Sequence, residues 1–317
     1  MTDLPTPTRS GPAVRRRVLS ARQRRELLTA LFFLAPLLVG LLAFVVYPLL
    51  ASLYYTFTKW DLVAPGPRWI GLDNWRYLVQ DARVGQTLGN TARFLLTGTT
   101  SYLLLAFALA LAFTNVRRGA ALFRGVFLLP WMMSGLAAGV VWTWMFNSRS
   151  GPAAQVVGLF TDQNTNLLLD ARQAMTAIAI ATTWQGAGYG MIVFIAGLRS
   201  IPPMLYEAAR IDGANAWQRL RFITLPMLAP TTLFLVTTAL IGGFQLYDPV
   251  IAMTSAYDVG GPDGSTRTLV LYLYQQMFEL SERFSGLGYA SAIAWLLAVI
   301  IFAVTLAQWL VSRQDTR

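Results

Sequence analysis

The stretch EAARIDGANAWQRLRFITLP, Glu207–Pro226, carries three arginines and two carboxylates between two long apolar runs. Its surroundings are of another kind. The chain has 317 residues, 55% of them hydrophobic and only 13% charged, roughly half the charged fraction of a soluble globular domain. Windows free of Asp, Glu, Lys and Arg run over 27–58, 94–116, 125–148, 173–198, 222–247 and 284–312. A bilayer core needs about 20 apolar residues per crossing helix, so each window is long enough to span. Two further neutral windows, 150–161 and 268–278, are too short and are expected outside the bilayer core. Six such runs do not fit a large soluble protein. The first is also far longer than the apolar core of a cleaved signal peptide.

Basic residues set the orientation. With the N-terminus inside, the internal segments hold sixteen of the 25 Lys and Arg residues against five acidic ones. Seven of those arginines precede residue 26, in a Pro/Thr/Ser-rich stretch that cannot bury a core. Residues 1–26 are therefore expected to be a basic, disordered cytoplasmic tail. Residues 27–312 should form one six-span domain and 313–317 a short cytoplasmic tail. Basic residues beside an apolar span orient it in a membrane and do not point to nucleic acid.

The opening stretch then lies in a cytoplasmic loop. Ser200 and the following prolines are expected to open a helix. Asp212-Gly213 should end it, because Gly tolerates the left-handed conformation of a C-terminal cap. Asn215 and Gln218 have capping-box spacing for a second helix. Glu207 is placed to pair with Arg210, while Trp217 and Leu220 give the second helix an apolar side. The result is a tethered pair of short helices whose small residues allow another backbone to approach.

Chemistry of its own is hard to find. The chain has no Cys and no His, which removes thiol, zinc and imidazole chemistry. Its one lysine, Lys59, stands beside Trp60 and not in the Gly-Lys-Ser/Thr of a phosphate-binding loop. The six windows hold no carboxylate for ion coupling, Asp248 being the nearest. An enzyme and an ion-coupled carrier are both disfavoured.

Glu207-Ala208-Ala209, three residues, Gly213, nine residues, Ile223-x-Leu225-Pro226, with Asp212 and Ala214 also fitting, resembles a signature of membrane subunits of bacterial binding-protein-dependent ABC importers. The resemblance implies an all-α polytopic protein with the type I ABC importer permease fold. In it, this loop is a coupling helix docked on an ATPase. It also implies a second homologous permease subunit forming a heterodimer, an ABC ATPase dimer that uses ATP and Mg, and an extracytoplasmic solute-binding protein. No cofactor or metal is expected on this chain, which would sit in the bacterial inner membrane with both termini cytoplasmic.

Other stretches resemble the carbohydrate-uptake branch, with maltose-type and glycerol-phosphate-type permeases. They are Tyr47-Pro48, Gly71-Leu72-Asp73-Asn74-Trp75, Arg124 through Leu129-Pro130, and Gly260-Gly261-Pro262 with Ser265-Thr266. By match to that branch, Gly186 and Tyr189 in Trp184-Gln185-Gly186-Ala187-Gly188-Tyr189-Gly190 are expected at the sugar site. Phe244, Gln245, Tyr247 and Asp248 follow from the second such stretch. The spans contain no arginine for an anion, which favours a neutral mono- or oligosaccharide. Glycerol phosphate or another polyol is the alternative.

Overall fold

A computed structural model of the chain describes residues 21–61, 63–114, 116, 119–148, 150–161, 166–278 and 286–314. Helix α1 runs over residues 21–55 with a π turn at Leu42–Val46. It begins within the stretch expected to be tail, where Arg22 and Glu26 form an i,i+4 ion pair at 3.0 Å. Residues 1–20 and 315–317 of the two expected tails lie outside the described residues. Compactness divides the chain inside α1, into Met1–Ser52 and Leu53–Arg317. The described part of the first unit is apolar helix with Phe32, Phe33 and Phe44 exposed.

The second unit holds the other elements. Strands β1 (Thr58–Lys59) and β2 (Arg68–Trp69) pair antiparallel. Helices α2 (Asp73–Gln80) and α3 (Ala82–Phe113, with a π turn at Leu95–Thr99) follow. Then come α4 (Ala120–Met132), α5 (Gly135–Met145), α6 (Pro152–Thr161) and α7 (Ala174–Ser200). The charged stretch contributes α8 (Pro203–Ile211) and α9 (Ala216–Met227). Helices α10 (Ala229–Phe244), α11 (Asp248–Thr254), α12 (Leu269–Phe278) and α13 (Leu287–Gln314) complete it.

Four helices, including α3, α7 and α13, are long and apolar enough to cross a membrane by length and composition. Two bent pairs bring the number to six: α4 with α5 at 97° and α9 with α10 at 64°. The third and fifth windows are thus broken spans, which a count of uncharged residues does not reveal. At the first break Met133 is extended and the Ser134 hydroxyl accepts from Ala137 N at 3.2 Å, starting a new helix. At the second, Pro230 has no N–H for the Pro226 carbonyl one turn back. The two short neutral windows are the helices α6 and α12.

Helix α7 is the central element. Its small side chains let neighbours come close: a Cβ on Gly188 would lie 1.8 Å from the Phe127 carbonyl of α4, and one on Gly190 would lie 2.7 Å from Ala106 of α3. Helices α5 and α11 close on each other where Gly139 faces Ala252. The branch-specific stretches serve as ties. Buried Asn74 donates to the carbonyls of Thr56 (2.9 Å) and Thr58 (2.8 Å). Gln86 and Asn90, one turn apart on α3, hold the 260–268 loop by donating to the Asp263 carbonyl at 2.7 Å and the Gly264 carbonyl at 2.8 Å.

Asp81 joins three elements. Its carboxylate caps α3 by accepting from Arg83 N at 2.9 Å, and accepts the Tyr289 hydroxyl of α13 at 2.7 Å. The Tyr272 hydroxyl of α12 donates to the same oxygen. Burial, then this bond to a carboxylate, raises the Tyr272 phenol pKa above its ordinary value. Asp81→Ala removes the cap and strands two hydroxyls, and should cost about 2–4 kcal/mol. A lowered thermal midpoint in detergent, against an unchanged one for exposed Asp258→Ala, checks this.

Candidate functional site

A cavity of about 530 Å³ opens where α3, α4, α7 and α10 meet the α4–α5 break and the α10–α11 junction. Tyr189 lines it and stacks on Trp131 of α4, ring centroids 4.9 Å apart and planes 12° from parallel. Thr182, Thr183 and Thr238 add hydroxyls, and Gln185 and Gln245 add amides. Asp248 supplies the single carboxylate, and no Lys or Arg is among the lining residues. Aromatic faces with a few convergent polar groups suit a polyhydroxylated ligand with an apolar ring face.

Five of the six residues expected at a sugar site line this cavity: Gly186, Tyr189, Gln245, Tyr247 and Asp248. Phe244 does not. Gly242 and Gly243 already present the cavity side of α10, and one further residue turns Phe244 about 100° away. Trp184 is a second departure from the expected stretch. It meets Trp142 at 5.8 Å edge to face and lies outside the cavity. The flat ring comes from Trp131 instead, beside the Leu129-Pro130 pair, and Tyr102 adds another aromatic wall. Trp131 lacked a polar neighbourhood in sequence, whereas Tyr102 follows Thr99-Thr100-Ser101, a polar signal that could have marked it.

Of the three alternate glycines in α7, Gly188 and Gly190 serve packing, while Gly186 faces the Tyr102 ring at the cavity wall. Gln185 is tied as well: its amide donates to the Met133 carbonyl at 3.0 Å, satisfying the backbone at the α4–α5 break.

The charged stretch folds as a helical hairpin. Gly213 has φ +78°, its N–H donates to Arg210 O at 3.1 Å, and Ala214 N–H donates to Ala209 O at 2.8 Å. This is the double bond of a Schellman cap. The capping box forms as expected, Asn215 N to Gln218 Oε1 at 2.7 Å and Gln218 N to Asn215 Oδ1 at 2.9 Å. Tyr206 and Thr224 hydroxyls bond across the two limbs at 2.9 Å.

Three expectations here fail. Ser200 ends α7, donating to Gly197 O, and Pro202 stands uncapped at the start of α8. Glu207 makes no ion pair with Arg210. Trp217 points outward, 63% exposed, so only Leu220 of that side packs inward. Glu207, Ala208, Asp212, Gly213, Leu225 and Pro226 are exposed, whereas Ala209, Ala214 and Ile223 are half-buried. Met204 and Ile211 are exposed beside them, Ile211 at 87%. The turn is thus fringed with exposed apolar residues.

Residues 102–316 match the family described as binding-protein-dependent transport system inner membrane component. The chain belongs to that family. It is therefore a multi-pass inner membrane protein and a transport protein, not an enzyme. The permease is 34% identical to the probable ABC transporter permease protein YesP of Bacillus subtilis, over 89% of this chain and 90% of the relative. It is 30% identical to the multiple sugar-binding transport system permease protein MsmF of Streptococcus mutans, over 89% and 94%. With the sn-glycerol-3-phosphate transport system permease protein UgpA of Agrobacterium fabrum it shares 32%, over 87% and 91%. In fold it is similar to a chain of a bacterial ABC transporter involved in the import of the acidic polysaccharide alginate, at TM-score 0.73 and 22% identity, covering 93% of this permease and 97% of that chain.

Gly188→Ala should separate α4 from α7 and cost more than about 3 kcal/mol, because its neighbour is backbone that cannot yield. Gly186→Ala, whose neighbour is the Tyr102 ring at 3.1 Å, should cost about 1–2 kcal/mol. Thermal midpoints of the two purified variants order them.

Proposed function

We propose that this permease carries a neutral mono- or oligosaccharide inward, driven by ATP hydrolysed on separate subunits. The lining of the 530 Å³ cavity is the observation that supports the substrate reading: a Trp131–Tyr189 stack, threonine hydroxyls, two amides and one carboxylate without a cation. Hydroxyls of a sugar match those groups, and its apolar ring face matches the aromatic wall. The names of relatives such as MsmF agree with a sugar. Relatives named for glycerol phosphate keep that anion as a second reading, but a phosphate in this cavity would meet Asp248 with no cationic group to offset it.

The hairpin 200–225 is read as the coupling element. Glu207 would pair with the ATPase, Gly213 would hold the turn, and Ala208, Ala209, Asp212 and Ala214 would line the contact. Ile223, Leu225 and Pro226 would connect it to the spans. Both termini and the hairpin would face the cytoplasm. The complex would contain a second, similar permease, two ATPases that use ATP and Mg, and an extracytoplasmic solute-binding protein. Transport would alternate the cavity between the two sides, with this chain positioning the solute and doing no chemistry.

Three measurements test this. Trp131→Ala should raise the KM for sugar uptake about tenfold, a loss of about 1.4 kcal/mol, with ATPase association intact. Gly213→Pro, which φ +78° excludes, and Glu207→Ala should each abolish or strongly reduce ATP-dependent uptake. Survival of uptake and of ATPase association in both variants would overturn the coupling assignment. Because the chain has no cysteine, Trp217→Cys provides a unique thiol. An impermeant maleimide should label it in inside-out vesicles and not in right-side-out ones.

A further inference from the structure

Between the hairpin and the ends of α3 and α7 lies a second cavity, of about 750 Å³. Arg199 of α7, Arg210 of α8 and Arg219 of α9 line it, and Leu111, Leu198 and Leu220 form apolar wall. Glu207 is the one carboxylate among the lining residues, and it forms no ion pair with any of the three. The ion pairs of the described residues are Arg22–Glu26 and Arg76–Asp73. Arg219 is held in place by one nitrogen, Nη1 donating to the Ala214 carbonyl at 2.7 Å, which leaves its other N–H groups for a further acceptor.

Three guanidiniums from three elements, set over leucines where two spans end, call for a ligand with an anionic head and an apolar body. Planar guanidiniums suit phosphate oxygens, and basic pockets between helices at the inner face bind lipid headgroups. The sugar cavity, with one carboxylate and no cation, has the opposite polarity. We propose that this second cavity binds the phosphate of an anionic phospholipid of the inner leaflet, its glycerol end lying against Leu111, Leu198 and Leu220. Such a phosphate would tie both limbs of the hairpin to the end of α7, so the stiffness of the lever would depend on leaflet composition. The proposal rests on the reading above only in placing the hairpin on the cytoplasmic side.

The test is native mass spectrometry of the full-length chain released from bilayers of equal phosphatidylglycerol and phosphatidylcholine. Each guanidinium near a phosphate contributes about fivefold, so R199Q/R210Q should lower phosphatidylglycerol retention about twenty-fivefold relative to wild type. R199K/R210K, which keeps the charge, should recover most of it, and exposed Arg68→Gln should leave it unchanged. Circular dichroism confirms that the variants are folded. Equal retention by wild type and R199Q/R210Q overturns the proposal. Displacement of the lipid by inorganic phosphate alone would reassign the site to the free anion, and protection of the arginines from dicarbonyl modification by the ATPase but not by the lipid would reassign it to a protein contact. Sidedness is read separately with Trp217→Cys, so a failure of the orientation and a failure of the lipid site give different results.

Discussion

Backbone polar groups in a bilayer have no water to turn to, so a helix that breaks there must find partners for the groups it frees. The α4–α5 break and the α10–α11 junction, both beside the 530 Å³ cavity, satisfy that constraint through side chains from elsewhere. Gln185 of α7 takes the Met133 carbonyl at 3.0 Å, and Thr268 donates to the Leu246 carbonyl at 2.7 Å. The cavity lies against both points, and each of the two bonds satisfies a carbonyl freed where the helix ends. Thr268 also belongs to the loop that Gln86 and Asn90 hold to α3, so the 260–268 loop and the cavity wall are one connected structure.

How much of this could be read in the sequence depends on the range of the interaction. The hairpin was legible almost atom by atom, because caps are local: Gly213 at the turn, Asn215 and Gln218 three apart. Ser200 misled because a hydroxyl before prolines fits a cap equally well at the end of the preceding helix, where its Gly197 bond wins. The expected Glu207–Arg210 pair rested on spacing alone, and an exposed pair adds too little to fix two long side chains.

The cavity was half legible. Gly186, Tyr189, Gln245, Tyr247 and Asp248 came from the resemblance of two stretches to the carbohydrate-uptake branch. Trp131 did not, since an aromatic residue within an apolar run looks the same whether it faces lipid, a neighbouring helix or a cavity, and Tyr102 had only the neighbouring Thr99-Thr100-Ser101 to mark it. Phe244 shows the converse error: adjacency to site residues is not adjacency in space on a helix, where each step turns about 100°. The broken spans were hidden for a related reason, because an absence of charge records apolarity and not direction.

Helix α7 gives the arrangement its mechanical sense. It is 27 residues without a break, about 40 Å long, and carries Thr182, Gln185 and Tyr189 in the cavity. Ten residues beyond Tyr189, about 15 Å along the axis, Arg199 stands at the hairpin. No loop or hinge intervenes. Gly188 and Gly190 lock the same stretch onto α4 and α3, so a displacement entering at the hairpin cannot be absorbed by a soft contact before it reaches Tyr189 and the stacked Trp131. The compliant places are the two points where Gln185 and Thr268 hold carbonyls by single hydrogen bonds. Motion delivered along α7, if the hairpin is the coupling element proposed above, would therefore appear at the α4–α5 break and the α10–α11 junction, beside the cavity.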